Sequence, residues 1–130
     1  MGTNPLVGTW RLVSLATWSA EGAVRYPLGR DPLGYLIYTE DGYMAYQTMG
    51  GAGPPDAAQP PQSYSGPYAY RGDTVVHTIA VSADPGWVGT DQVRTVALTG
   101  DALTLGSGPI AIAGTPPFRV RLVWQRARPC

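Results

Sequence analysis

The chain contains no lysine and a single cysteine, and each scarcity removes a class of chemistry. All nine basic residues are arginine, so no lysine is available to form a Schiff base with a carbonyl substrate. The cysteine is the last residue, Cys130, which excludes an intrachain disulfide and a multi-cysteine metal site. A thiol at a chain end is a poor candidate nucleophile, because chain ends are usually frayed and exposed.

Charge and long apolar runs are also scarce. The formal net charge is zero and no basic run occurs, so neither a nucleic acid nor an anionic membrane is an expected partner. Residues 1–5 lack the charged and apolar parts of a signal peptide. No window approaches the roughly 18 uninterrupted apolar residues of a membrane-spanning helix. We therefore predict a soluble, cytoplasmic protein.

The motifs that hold metals or phosphates are missing as well. No cluster of His, Cys and carboxylates has zinc-like spacing, and no glycine-rich loop opens a helix. The sequence therefore predicts no cofactor and no metal. A Ser-His-Asp triad is compatible with the composition, but no nucleophile-elbow motif is present. Most aspartates fall in predicted turns, which leaves no obvious pair of catalytic carboxylates.

The chain does contain a regular succession of short apolar runs. Apolar residues make up 44% of the chain and charged residues 14%, while 17 glycines and 13 prolines separate the runs. No segment keeps helical apolar spacing over about ten residues. The predicted strands span residues 6–18, 34–39, 43–48, 64–70, 74–82, 92–98, 102–105 and 119–125. Because short turns favour antiparallel neighbours, we predict an all-β fold, a single antiparallel up-and-down barrel of about eight strands.

This barrel is predicted as one domain over residues 1–130, with a Gly/Pro-rich loop at 50–62. Alternation along the strands supports a barrel wall. In the last strand Val120, Leu122 and Trp124 share an apolar face opposite a mostly polar one. In the run 74–82, the more apolar face carries His77 together with Val75, Ile79 and Val81. We expect that face, including His77, to point inward.

Several stretches of the sequence, taken together, form a fairly specific set of motifs. They are residues 6–14 (LVGTWRLVS), 32–38 (PLGYLIY), 41–44 (DGYM), 64–68 (YSGPY), 76–77 (VH), 87–94 (WVGTDQVR) and 124–126 (WQR). With them the chain resembles the bacterial lipocalin-like domain family over nearly its whole length. The resemblance implies a barrel that holds an apolar small molecule, but small barrels of this kind include carriers and cyclases, so it fixes no reaction.

The resemblance also implies a sealed end and one departure from the family. Trp10 and Arg126 resemble the pair that closes one end of lipocalins, where a guanidinium over an indole contributes about 0.5–2 kcal/mol. We assign this pair a structural role. The family usually carries a longer, partly helical insert before the Tyr-Ser-Gly motif. Here the 50–62 loop takes its place, so a lid or pocket wall is expected to differ.

Two polar residues on predicted inner faces are candidates for chemistry. A buried, neutral His77 can act as a general base or orient a ligand carbonyl; alternatively it is a core histidine bonded to a neighbouring strand. Arg94 can bind a ligand carboxylate or enolate if it faces inward. The alternative for Arg94 is an outward, solvated side chain or a pair with Asp91.

Aromatic side chains supply the candidate pocket wall. Tyrosines cluster in three consecutive strands, and Tyr64, Tyr68 and Tyr70 share a face unless a bulge at Gly66 resets it. Their rings give an apolar wall with a few placed hydroxyls, suited to a polyketide or terpenoid. Ordinary aromatic packing is the alternative. Trp87, in a loop at a barrel mouth, can either gate a ligand or plug the end.

The sequence leaves three functions open and narrowly favours the first. In the first, a cofactor-free cyclase or isomerase of specialised metabolism, such as antibiotic biosynthesis, folds a polyketide-like substrate in the barrel. Its predicted catalytic residues are His77, Arg94 and Tyr68, and its predicted ligand-binding residues are Tyr38, Tyr46, Tyr64, Trp87 and Gln92. In the second, the barrel is a non-catalytic carrier of a hydrophobic small molecule. In the third, side chains fill the barrel and no pocket exists. An outward apolar strand face would favour a homodimer.

Overall fold

Ten β-strands dominate the part of the chain that the computed structural model describes, residues 4–52, 60–109 and 117–130. The strands are β1 (Gly8–Ser19), β2 (Val24–Arg25), β3 (Asp31–Tyr38), β4 (Tyr43–Ala52), β5 (Gln62–Tyr70), β6 (Thr74–Thr78), β7 (Val81–Ser82), β8 (Asp91–Thr99), β9 (Ala102–Gly106) and β10 (Phe118–Arg126). A short 3₁₀ turn, Pro85–Trp87, precedes β8. These described residues contain no α-helix, as the sequence predicts.

Eight of the strands close into an antiparallel ring. The order is β1-β3-β4-β5-β6-β8-β9-β10, and β10 pairs again with β1. The two-residue strands β2 and β7 add to β1 and β5 and lie outside the ring. Closure gives each ring strand two neighbours, which removes the exposed edges of an open sheet. The prediction of an antiparallel lipocalin-like barrel of about eight strands is therefore confirmed.

Alternating side chains place the core inside this ring. Along β8 the exposed residues alternate with partly buried Gln92, Arg94, Val96 and Leu98. On β10, Leu122 and Trp124 are buried, as the sequence pattern predicts. The buried apolar residues are Leu6, Trp10, Leu12, Leu15, Leu28, Leu36, Tyr38, Met44, Tyr46, Tyr64, Val75, Ile79, Leu103, Leu105, Leu122 and Trp124. These side chains pack against one another as one cluster inside the ring.

The strand predicted over residues 74–82 is wrong in its second half. It breaks after Thr78, and the main chain crosses so close to Gly66 that a Cβ there would lie 2.0 Å from the Thr78 carbonyl oxygen. Ile79 pairs instead with the segment before β8, its amide donating to Thr90. This irregularity shifts the alternation by one residue. Val81, predicted to face inward, is consequently 65% exposed.

The predicted loop at 50–62 is also longer than the structure shows, because strands extend into it from both sides. β4 continues to Ala52 and β5 already begins at Gln62, while residues 53–59 lie outside the described part of the chain. Gly51 explains the longer strand, because a Cβ at this position would lie 1.8 Å from the Asp31 carbonyl oxygen on β3. Glycine therefore permits a close strand approach here rather than marking a loop.

The two ends of the barrel differ in construction. At the closed end, which we define by the turns 39–42, 71–73 and 100–101, the Arg126 guanidinium lies 4.2 Å from the centre of the Trp10 ring. That contact confirms the predicted pair. At the mouth, which we define by the segments 20–30 and 79–90, Leu28 covers part of the interior and Trp87 covers another part.

Candidate functional site

The barrel interior holds the chain's only histidine between two tyrosine hydroxyls. His77 lies on β6, and only 1% of its surface is exposed. Its Nε2 is 2.6 Å from the hydroxyl oxygen of Tyr38 on β3, and its Nδ1 is 3.0 Å from that of Tyr64 on β5. Inward alternation on three strands brings these groups together. The inward orientation predicted for His77 is confirmed.

Burial sets the protonation states of this triplet. Desolvation, followed by the positive charge of Arg94, lowers the pKa of His77 from 6.5 to about 3, so the imidazole is neutral near pH 7. Burial is likewise the largest cause that raises the pKa of the Tyr38 and Tyr64 hydroxyls above their ordinary value. Both tyrosines therefore keep their protons, and the triplet is an uncharged hydrogen-bonded chain.

Arg94 brings a positive charge to the same interior. It is partly buried on the inner face of β8, and it donates to the Val93 carbonyl at 3.0 Å and to Gln92 Oε1 at 3.2 Å. Within the described residues it has no carboxylate partner. The suggested pair with Asp91 is wrong, because that side chain accepts from Thr78 Oγ1 at 2.9 Å instead. The guanidinium has five N–H donors, and two hydrogen bonds from it are present among the described residues.

Two neighbouring spaces, which share lining residues, lie beside these groups. An inner cavity of about 30 Å³, close to the volume of one water molecule, is lined by Tyr46, Gln62, Tyr64, His77, Trp87, Arg94, Leu105 and Leu122. A larger mouth pocket of about 330 Å³ is lined by Pro60, Pro61, Gln62, Ser63, Ser82, Ala83, Asp84, Pro85 and Trp87. Gln62 and Trp87 belong to both linings, so Trp87 stands between the two spaces.

The 3₁₀ turn positions Trp87 at this boundary. Asp84 caps the turn by accepting a hydrogen bond from the Gly86 amide at 3.0 Å, and the Trp87 carbonyl accepts from Thr90 Oγ1 at 2.6 Å. The Trp87 ring centre lies 5.9 Å from that of Tyr64. Both sequence interpretations of Trp87 fit this position, because the side chain closes the inner cavity and faces the mouth pocket.

The structure brings most of the predicted site residues together. Those that line the inner cavity are His77, Arg94, Tyr46, Tyr64 and Trp87. Tyr38 stands behind His77, and Gln92 is bonded to Arg94. Tyr68 is the exception. Its hydroxyl donates to the Thr39 carbonyl and accepts from Asn4 Nδ2 at the closed end, so it contributes no polar group to the cavity.

Three residues that line the inner cavity are not among the site residues predicted from the sequence. Leu105 and Leu122 follow the inward alternation of β9 and β10, so their strand positions carry a usable signal. Gln62 had no such signal, because it stood at the end of a predicted loop. It lies at the start of β5, where the strand reaches the mouth.

Nothing in the described residues points to a metal or to a membrane-spanning helix. No group of three or more His, Cys, Asp or Glu side chains lies close enough to hold a metal ion in the described ranges. Over the same ranges, no helix has the length and apolar character needed to cross a bilayer.

A closed eight-stranded ring with polar groups beneath a mouth pocket defines a lipocalin-like, small-molecule-binding barrel. The chain belongs to the lipocalin-like domain family, whose model matches residues 7–63 and 52–127. This match confirms the family predicted from the sequence motifs. No curated protein and no solved structure matches the chain.

Proposed function

We propose that the protein binds an apolar small molecule in the mouth pocket, with one end of the ligand entering the inner cavity past Trp87. The shared lining of the two spaces supports this proposal most directly. The mouth pocket lies at the lower limit of ordinary ligand sites, about 300–1,000 Å³, whereas the inner cavity alone holds only a small group. The ligand therefore lies mainly at the mouth rather than deep in the barrel, where aromatic side chains occupy the space.

A neutral fluorescent dye, N-phenyl-1-naphthylamine, tests this binding. We expect saturable one-to-one fluorescence enhancement with the wild-type protein. Ala83→Trp, which fills the mouth pocket, should weaken dye binding at least tenfold. Ala102→Trp, at an exposed position of β9 next to the closed end, is the matched control and should bind as the wild type does. Absence of saturable binding to the wild type, or equal binding by both variants, would contradict the proposal.

A second candidate function is the cofactor-free cyclisation or isomerisation of a polyketide-like substrate. The neutral His77 between two tyrosines favours it, because such a chain can relay a proton toward a substrate at Tyr64. Arg94 would stabilise developing negative charge on an oxygen. Tyr68 leaves this set, since its hydroxyl is bound at the closed end.

Product analysis separates this candidate from simple binding. A linear poly-β-ketone precursor would be incubated with wild type, with His77→Phe, with Arg94→Met, and without protein. Catalysis predicts a changed product distribution with the wild type and loss of that change in both variants. Identical products in all four reactions would reject the catalytic candidate and leave a carrier.

We propose further that the protein is a homodimer through the outer face of β3 and β4. Leu33, Tyr35, Ile37 and Met49 are each 40–55% exposed on this face. Sedimentation velocity of the wild type should show a dimer, and Tyr35→Arg should yield a monomer.

The cytoplasmic location expected from the sequence likewise stays a prediction.

A further inference from the structure

Resting on the proposed binding function, we propose that the ligand carries a carboxylate or another anionic oxygen group. The Arg94 guanidinium and the Tyr64 hydroxyl together bind this oxygen in the inner cavity. Three separate features of the interior support this ligand class: the direction of the hydrogen bonds at His77, the donors of Arg94 that no described residue uses, and a buried indole N–H without a partner in the described part of the chain.

The direction of the hydrogen bonds follows from the surroundings of the two tyrosines. A neutral imidazole donates from one nitrogen and accepts at the other. The Tyr38 hydroxyl has His77 Nε2 as its one partner among the described residues, and the side chain is 1% exposed. If Tyr38 accepted from Nε2, its own hydrogen would be buried without an acceptor, which is unfavourable by about 1–3 kcal/mol.

Tyr38 therefore donates to Nε2, and the Nδ1 hydrogen of His77 points to the Tyr64 oxygen. This arrangement leaves the Tyr64 hydroxyl hydrogen without a partner in the described part of the chain. Because Tyr64 lines the inner cavity, that hydrogen can be directed into it. The triplet thus presents a hydrogen-bond donor to whatever group enters from the mouth.

Arg94 adds further donors and a charge. Within the described ranges, two hydrogen bonds use its guanidinium, and both acceptors are neutral. A partly buried guanidinium that lacks a carboxylate partner is suited to bind an anionic ligand. One carboxylate, that of Asp84, lies on the lining of the mouth pocket, but it belongs to an exposed turn and already accepts from the Gly86 amide. Its repulsion of an anion is screened by solvent.

The indole of Trp124 shows the same excess of donors over acceptors. Its Nε1 is buried and has no hydrogen-bond partner within the described residues. The ring makes an edge contact with Tyr46, with ring centres 5.9 Å apart, and Tyr46 lines the inner cavity. A buried N–H without an acceptor among the described residues favours ligands that supply oxygen lone pairs.

A pair of ligands with the same ring system tests the inference. We would measure binding of 1-naphthaleneacetic acid and 2-(1-naphthyl)ethanol by calorimetry at pH 7.5, where the acid is ionised. The acid should bind at least tenfold more tightly than the alcohol. Arg94→Met should abolish that preference, Arg94→Lys should restore part of it, and Tyr64→Phe should reduce it several-fold. Arg71→Met, in a turn at the closed end, is the matched control and should keep the wild-type preference.

Nitrogen-15 NMR of His77 at pH 7.5 gives a readout that a merely structural effect of Arg94 would not reproduce. A bound carboxylate accepts from the Tyr64 hydroxyl and so strengthens the hydrogen bond that this hydroxyl accepts from His77 Nδ1, which should move the Nδ1–H proton resonance downfield with the acid and clearly less with the alcohol. Equal affinity for acid and alcohol would overturn the inference while leaving the binding function intact. If neither ligand binds and the neutral dye also fails to bind, the binding function and the inference fail together.

Discussion

Trp10 and Arg126 at the closed end, and Trp87 and Arg94 on the mouth side of the barrel, are two pairs of the same residue types, but the two pairs are used differently. At the closed end the Trp10 Nε1 donates to the Leu6 carbonyl at 2.9 Å, and Arg126 donates to two backbone carbonyls at 2.8 and 3.0 Å while covering the indole ring. On the mouth side, Arg94 has donors that no described residue uses, and Trp87 lines two spaces. Paired donors make the first end structural, and the unpaired donors of the second support the binding site proposed there.

The largest expected effect is at the closed end. Trp10 is fully buried in the core, so Trp10→Ala removes a large apolar contact and leaves a cavity. We expect a loss of about 4 kcal/mol in the free energy of unfolding. Urea denaturation followed by circular dichroism measures it. Trp10→Phe, which keeps most of the ring volume, should lose clearly less, and a loss below about 1 kcal/mol for Trp10→Ala would show that this end is not the structural one.

The next effect is a dependence of stability on pH that arises from His77. The unfolded chain binds a proton near pH 6.5 and the folded protein only near 3, so the unfolded state holds more protons between these values. Stability therefore falls as the pH falls through this window, and it is restored above it. The contribution lost between pH 7 and pH 4 is about 3 kcal/mol.

His77→Phe isolates this contribution, because the chain contains no other histidine. Chemical denaturation at several pH values should show a weaker decline for the variant than for the wild type, since its carboxylates still titrate. Equal declines would show that the imidazole takes up its proton without unfolding. The NMR titration of His77 in the native protein would then give an ordinary pKa.

A smaller effect is expected at the mouth. Trp87 is partly buried, and solvent can occupy the space that Trp87→Ala creates, so the cavity contribution present at Trp10 is absent. We expect a loss of about 2 kcal/mol, close to the transfer free energy alone. The same variant should raise the association rate of the neutral dye several-fold, because it opens the inner cavity to the mouth pocket. A loss of stability equal to that of Trp10→Ala would remove the difference between the two ends.

The sequence predicted the closed end better than the mouth, and the reason is physical. The eight ring strands follow from alternation and turn residues, which act over short distances along the chain. Trp10 and Arg126 stand at fixed positions in such strands. The inward orientation of His77 and of the pocket tyrosines was predictable on the same ground.

What failed depends on contacts between distant segments. The break after Thr78 arises because the main chain passes close to Gly66 on another strand, and no local pattern encodes that approach. Gly51 has the same kind of role, although the local sequence predicts a loop there. The polar partners of Tyr68 and Arg94 also come from three-dimensional packing, which is why Tyr68 was wrongly grouped with the cavity residues.

The smallest expected effect concerns the ion pair at the closed end. Asp101 lies 3.7 Å from Arg126 Nε, and its side chain is 80% exposed. Exposed pairs contribute little, so Asp101→Asn should change the free energy of unfolding by less than about 0.5 kcal/mol. Arg126→Met, by contrast, should lose about 2 kcal/mol, because it removes two hydrogen bonds to backbone carbonyls and the contact with the indole. If Asp101→Asn were as damaging as Arg126→Met, the charge of Arg126 would be its main contribution, and this arginine would resemble Arg94 more than the geometry indicates.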